Sequence, residues 1–206
     1  MGFNRRQNGG ADFRVWAKTP AFYLHRVTVT RVSLPEDDWT ADYSRTNAVS
    51  IRMEDESPQD GLRHLALEGD GRTTVTNLNG VICRQMKREG RPNGYLYFTI
   101  NPSFKSAGLT NARCEVEYYS PVRATCRLQY DAVESDTHQP YKYASSAIIR
   151  AVPTNLWKTV TFRLLNGVFM NSQNGGADFR LEAIPPDIYV RRVTLLRENA
   201  TAGLAR

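Results

Sequence analysis

The sequence is poor in the residues on which most enzyme chemistry depends. It has three cysteines, Cys83, Cys114 and Cys126, and none stands in the paired spacing of a zinc site. Three cannot build a disulfide framework. They read first as buried thiols acting as small hydrophobes, with a bridge between Cys114 and Cys126 across the turn at Ser120-Pro121-Val122 as the alternative. The three histidines, His25, His64 and His138, sit singly in unrelated segments, as solvated or satisfied polar residues do. There is no Gly-x-Ser-x-Gly elbow, no P-loop and no dinucleotide fingerprint. No apolar stretch reaches the roughly 18 residues that span a membrane. The opening Met1-Gly-Phe-Asn-Arg-Arg lacks the apolar core of a signal peptide, so the signal of a secreted bacterial parent is expected upstream of this segment. No run of about five or six like charges occurs. The net charge of +6 comes from 27 basic residues scattered among 21 acidic ones, and a nucleic-acid partner is not expected.

What the chain does contain is a repetition. Phe3-Asn-Arg-Arg-Gln-Asn-Gly-Gly-Ala-Asp-Phe-Arg14 recurs as Phe169-Met-Asn-Ser-Gln-Asn-Gly-Gly-Ala-Asp-Phe-Arg180, and the register continues without a gap to Arg31 and Arg197. A period of domain length indicates tandem modules rather than a solenoid, whose repeats run about 20–50 residues. The expected organisation is a C-terminal hairpin of a preceding module over residues 1–34, a linker over 35–47, a complete module over 48–198 and a tail over 199–206, cut from a longer protein. The first copy reads as two strands, 11–17 and 22–30, without the sandwich that should bury Phe13, Val15, Val27 and Val29. It is therefore expected to pack on the complete module or to exchange with a neighbour in a hairpin-mediated dimer, with Trp16 as an added anchor.

The secondary-structure signal is almost entirely β. Tyr95 to Ile100 alternates, with Leu96, Phe98 and Ile100 on one face and Tyr95, Tyr97 and Thr99 on the other. Cys114 to Tyr119 and Thr125 to Tyr130 alternate too, and read as a hairpin. Further runs are 49–54, 144–151, 159–164, 177–183 and 188–196, most of them bounded by Gly, Pro, Asn or Asp. No helical stripe of useful length is present. The predicted fold is all-β, an antiparallel β-sandwich of jelly-roll type.

In the repeated motif, Asn174-Gly175-Gly176 can supply positive φ angles, and Ala177 permits close backbone approach. Asp178 can accept hydrogen bonds from loop amides, while Phe179 and Leu181 point inward. Arg180, on the outer face, is expected to pair with Asp178 or Glu182. The motif reads as a stabilised corner. A structural calcium held by Asp12 and Asp178 with loop carbonyls is the alternative, although no cofactor is required.

Asp60-Gly-Leu through Asp70-Gly-Arg-Thr, Ile82-Cys-Arg84, Tyr95-Leu-Tyr-Phe98, Glu115-Val-Glu-Tyr-Tyr119, Leu128-Gln-Tyr-Asp131, Trp157-Lys-Thr and Gln173 to Leu181 together resemble a β-sandwich module found in tandem in bacterial glycoside hydrolases and other polysaccharide-degrading proteins. It is similar in plan to the galactose-binding-like carbohydrate-binding modules. The resemblance covers residues about 50–198 and the tail copy at 3–32. It implies a secreted, extracellular accessory domain beside a catalytic domain of the parent chain, and it implies that Trp157 packs rather than binds.

A sugar-binding face needs rings that stack on C–H faces and polar groups that meet hydroxyls. The outward positions Tyr97, Glu117, Tyr119, Arg127, Gln129 and Arg163 supply that mixture if their strands pair, and the loop residues Tyr141, Lys142 and Tyr143 form a second candidate. No catalytic residue is assigned. Arg84, Lys87, Arg88 and Arg91 near one loop suit an acidic polysaccharide. The expected function is non-catalytic binding of a polysaccharide or oligosaccharide, with a structural spacer or interaction module as one alternative and a small jelly-roll polysaccharide lyase as another. The lyase patterns Gln-x-His and Arg-x-Glu-x-Arg are absent from the sequence. Glu115 and Glu117 share a strand face with no visible partner wall.

Overall fold

The computed structural model describes residues 38–54, 59–87, 90–134 and 141–198. The chain divides into units Met1–Pro35 and Glu36–Arg206, and the second is described by itself. The expected N-terminal hairpin, its dimer, the tail and Arg88 lie outside the described residues.

The described residues form an antiparallel β-sandwich. In chain order its elements are β1 (Ala48–Arg52), β2 (Gln59–Asp60), β3 (Leu62–Leu65), β4 (Thr73–Leu78), β5 (Val81–Met86), β6 (Gly94–Ile100), α1 (Pro102–Ser106), β7 (Ala112–Tyr119), β8 (Ala124–Tyr130), β9 (Ala144–Ser145), β10 (Ile149–Ala151), β11 (Lys158–Leu164), β12 (Phe179–Ile184) and β13 (Tyr189–Arg197). A seven-stranded sheet runs β11-β7-β13-β1-β2, with the β4–β5 hairpin attached through β13; a six-stranded sheet runs β10-β8-β12-β6-β3, with β9 on β8. The last strand thus returns beside the first, as a jelly roll requires.

Alternation decides what lies between the layers. Val49, Ile51, Val116, Phe162, Val193 and Leu195 from one sheet meet Leu96, Phe98, Ile100, Leu128, Phe179 and Leu181 from the other, all essentially inaccessible to water. Phe98 and Phe179 stack at 5.0 Å on neighbouring strands of the six-stranded sheet. Cys114 and Cys126 are both buried free thiols. The expected hairpin between their strands does not form: β7 belongs to one sheet and β8 to the other, so the turn at 120–123 carries the chain between layers. Burial pushes the Cys126 thiol up to about 12, with the Glu182 charge adding to the effect.

Two local features do structural work. At the tip of the β4–β5 hairpin, Asn79 and Gly80 both hold positive φ (53° and 84°), the conformation that suits a two-residue hairpin turn, and the Asn77 side chain accepts from the Gly80 amide at 2.7 Å. Gly61 has φ +76°, and a Cβ there would lie 2.4 Å from Val49 Cγ1. This single residue separates β2 in one sheet from β3 in the other, and Ser50 pairs with it in an isolated parallel bridge.

The one α-helix among the described residues, α1, begins with Pro102 after Asn101, whose side chain caps the Ser103 amide at 2.9 Å. The segment before β1 packs on it. Tyr43 is buried, its amide donates to Ser103 Oγ at 2.8 Å, and the Trp39 carbonyl accepts from Asn101 Nδ2 at 2.7 Å.

Candidate functional site

The six residues expected on one face fall on two. Tyr97, Arg127 and Gln129 lie on the outer side of the six-stranded sheet, on β6 and β8, whereas Glu117, Tyr119 and Arg163 lie on the outer side of the seven-stranded sheet, on β7 and β11. Alternation shows which side chains point outward; it does not show which layer a strand joins.

On the six-stranded sheet, β12 runs between β8 and β6 and organises the surface. Its register sets Arg180 between Gln129 and Tyr97, and Glu182 between Arg127 and Tyr95. Arg180 Nε donates to Gln129 Oε1 at 2.7 Å, and Nη1 donates to the Tyr97 hydroxyl at 3.0 Å. Its guanidinium lies 4.0 Å from the Tyr95 ring centroid and 4.3 Å from that of Tyr143. The expected pairing of Arg180 with Asp178 or Glu182 is therefore corrected: Glu182 pairs with Arg127, and Tyr95 also donates to it at 2.9 Å. Burial alone would raise the Glu182 carboxyl, but the hydrogen bonds from Arg127, Asn93 and Tyr95 hold it below its ordinary range.

Tyr97 is fully buried, backed with Tyr95 by Ala177, Leu65 and Leu67, so it supports the face rather than offering a ring. Burial raises its hydroxyl, although Arg180 opposes the effect. That hydroxyl donates to Asp70 at 3.3 Å, and exposed Arg91 pairs with Asp70 at 3.6 Å.

The loop before β9 supplies the open part of this face. Tyr141 (φ 63°) and Tyr143 (φ 60°) both hold left-handed backbone, which is uncommon for bulky side chains. Tyr141 is 46% exposed, while Tyr143 is half-buried against Arg180 and its hydroxyl donates to Asn174 Oδ1 at 3.0 Å. The face therefore has a fixed floor (Tyr95, Tyr97, Arg180, Glu182, Gln129) and an accessible rim (Tyr143, Arg127, Asn93, Asn174, Asp70, Arg91), with exposed Tyr141 two residues before Tyr143 in the same loop.

Beside it stands the corner made by the repeated motif. Asp178 is fully buried. One carboxylate oxygen accepts from the Ile100 amide at 2.8 Å, the other from the Asn171 amide at 2.9 Å, and Lys105 Nζ stands 3.0 Å from both. Burial raises this carboxyl even against Lys105 and the amides. The ammonium of α1 thus occupies the position considered for calcium. Among the described residues no group of three or more His, Cys, Asp or Glu is arranged to hold a metal ion. Gly175 and Gly176 do hold positive φ, 68° and 82°.

The seven-stranded sheet carries a different surface. Tyr119, half-buried, meets Trp157 at 5.9 Å and Tyr189 at 6.0 Å, and Arg191 lies 5.0 Å over the Trp157 ring while its Nε donates to Glu117 at 2.6 Å. Trp157, read from the resemblance as packing, is half-exposed on this outer surface. Arg163 stands apart from this cluster, donating to Glu198 at 3.1 Å. Sequence reasoning missed Tyr95, Glu182, Tyr189 and Arg191. The period-2 spacing of Arg180 and Glu182 was the available signal for the second of these, and none pointed to Arg191.

No protein-family model matches the chain, and no curated protein matches it. Among solved structures it is similar to a family 29 carbohydrate-binding module from Piromyces equi, at 8% identity and a TM-score of 0.46, covering 76% of this chain and 95% of that one. It is also similar to the CBM22-1 and GH10 modules of a Clostridium thermocellum xylanase complexed with xylohexaose, at 15% identity and a TM-score of 0.42, covering 76% of this chain and 28% of that one. A third similarity is to a module of Cellvibrio mixtus lichenase 5A in complex with cellotriose, at 14% identity and a TM-score of 0.33, covering 73% of this chain and 97% of that one.

Proposed function

We propose that this chain is a non-catalytic glycan-binding module and that the outer face of its six-stranded sheet takes the sugar. The observation that carries the reading is Tyr143, held in left-handed backbone with its ring on Arg180 and its hydroxyl on Asn174 over a floor whose polar groups are already fixed, with Tyr141 left-handed and exposed two residues before it. Backbone strain of this kind costs about 1–3 kcal/mol per residue and persists where the surroundings impose it, commonly at ligand clamps. Here one strained tyrosine is clamped on Arg180 and the other is left open to solvent.

The chemistry suits a neutral sugar. Ring C–H faces meet the tyrosines, while hydroxyls find donors in Arg127, Asn93 and Arg91 and acceptors in Asp70 and Asn174. Because Arg180, Gln129, Tyr95 and Glu182 hold one another in place, little freedom is left to lose on binding, which favours affinity. Tandem copies in a longer protein would raise weak single-site affinity through effective concentration. An accessory role beside a secreted polysaccharide-degrading catalytic domain belongs to the same proposal.

The test is a glycan array followed by titration calorimetry with the strongest neutral binder, with xylohexaose and cellotriose among the probes. Tyr143→Ala is expected to lower affinity by about 1–3 kcal/mol, the scale of losing an aromatic contact. Tyr143→Phe, which keeps the ring and drops only the Asn174 hydrogen bond, is expected to lose much less. Unchanged affinity in Tyr143→Ala would remove this face from consideration, and no binding on the array would favour the spacer.

A further inference from the structure

The opposite side of the sandwich holds a groove of about 410 Å³ lined by Arg52, Glu54, Val81, Ile82, Glu117, Arg191 and Arg192. That volume falls in the range of small-ligand sites, about 300–1,000 Å³. Its floor is a row across four strands: Thr159 on β11 faces Glu117 on β7, Glu117 faces Arg192 on β13, and Arg192 faces Arg52 on β1. The next row sets Tyr119 beside Tyr189. The β4–β5 hairpin forms the far wall with Val81 and with Ile82, which is 47% exposed.

The register of β13 shifts between Val190 and Arg192, a bulge that adds Arg191 to the row. Arg191 turns to Glu117 and the Trp157 face, while Arg192 stays exposed and makes no hydrogen bond or ion pair among the described residues. Arg192 stands directly across from Arg52, which reaches only Glu54, at 3.6 Å. Like charges placed opposite each other on adjacent strands destabilise a sheet. Glu54 meets Arg52 from its own strand end, but Arg192 has no partner among the described residues, and an anion bound there would relieve the pair.

We propose that this groove is a second binding site, specific for an acidic sugar that presents a carboxylate to Arg192 and Arg52. A carboxylate matches the guanidinium fork in two parallel hydrogen bonds. The sugar ring lies with its apolar face against Val81 and Ile82, and its hydroxyls donate to Glu117 and Glu54. The site therefore differs from the six-stranded face in both position and charge, and it does not depend on that face being a site.

The probe is an α-1,4-linked oligogalacturonate, with its carboxyl-reduced counterpart as control, titrated into the full chain. Wild-type protein is expected to bind the acid with an affinity that falls as salt is raised, and to bind the reduced oligomer far more weakly. Arg192→Ala is expected to lower affinity for the acid about tenfold or more, the scale of losing one side of a charged contact. Arg192→Lys, which keeps the charge without the fork, is expected to lose less. Tyr143→Ala leaves this binding unchanged, just as Arg192→Ala leaves neutral-glycan binding unchanged, so failure of one site is read separately from failure of the other. The proposal is overturned if the acid does not bind, if Arg192→Ala binds it as wild type does, or if the reduced oligomer or a single-stranded oligonucleotide competes equally.

Discussion

Asp178→Ala is expected to destabilise the module by about 3–5 kcal/mol, the cost of removing one member of a buried, hydrogen-bonded charge pair. The substitution leaves the Ile100 and Asn171 amides without their acceptor and the largely buried Lys105 ammonium without its counter-charge. Equilibrium unfolding in urea measures the loss directly. Three segments meet at this carboxylate: the end of β6, the last turn of α1 and the turn before β12. Their simultaneous release should also make the transition less cooperative. Chelation of calcium is expected to leave the melting temperature of the unmodified chain where it was, because Lys105 supplies the positive charge. A melting temperature that rises with calcium and loses that dependence in Asp178→Ala would refute the ammonium-centred corner.

The second large effect is in pH. His64 packs against Phe98, and burial, with the Arg84 charge adding to it, lowers its pKa to about 3. Between that value and the ordinary 6.5, the unfolded chain binds a proton that the folded chain refuses, so His64 makes stability fall on acidification. Asp131 acts in the opposite sense. It is fully buried, one of its oxygens has no partner, and burial with the nearby Asp178 charge raises its pKa to about 6 against the amides of Ser172 and Met170. Between the ordinary 3.8 and about 6, the folded chain holds a proton that the unfolded chain has released, so Asp131 makes stability rise on acidification.

Each contribution has a slope of about 1.4 kcal/mol per pH unit, and in the unmodified chain the two oppose each other. Asp131→Asn keeps the shape and the acceptor for Met170 and Ser172 but no longer titrates. Its stability relative to wild type is expected to fall by about 2–3 kcal/mol in total as pH drops from roughly 6 to roughly 4. His64→Gln is expected to diverge the other way, gaining relative stability over the same interval. Parallel stability–pH curves for all three proteins would show that neither group is perturbed as described.

Several parts of this architecture are legible in the sequence for specific reasons. Leu96, Phe98 and Ile100 alternate with polar or amphipathic residues, and that period of two is legible even though the structure buries both faces of the strand. Asp178 was readable as an amide acceptor because it follows two glycines and opens a strand. The β4–β5 hairpin was not found, although Asn79-Gly80 marks its turn, because Thr73–Leu78 and Val81–Met86 lack strict alternation. Half-exposed strands at a sheet margin have no continuous apolar face to reveal them.

The division of the candidate residues between two sheets was invisible for another reason. A short turn such as Ser120-Pro-Val-Arg123 serves equally to pair two strands or to pass between layers, and only long-range pairing of β7 with β13 and of β8 with β12 decides which. The positive φ of Tyr141 and Tyr143 likewise has no local sequence cause, since neither is glycine or asparagine. At Tyr143 it accompanies contacts from outside the loop, the ring on Arg180 and the hydroxyl on Asn174.

The passage at Gly61 bears on how the molecule opens. There the backbone crosses from one layer to the other within a single residue, and its carbonyl is also held by the Asn101 amide at 2.9 Å. That edge of the sandwich is a seam. At the opposite edge the three-residue β10 leads into β11 through residues 152–157, in which Val152 and Leu156 are exposed, and the cross-layer hydrogen bonds described there gather at the far end of β11, where the Leu165 amide donates to the Tyr130 hydroxyl at 3.0 Å. Separation of the layers should therefore proceed like a book opened from its fore-edge, with the amides of Ile149–Ala151 losing protection against deuterium first and those of β1 and β6 near the spine retaining it until the whole module unfolds.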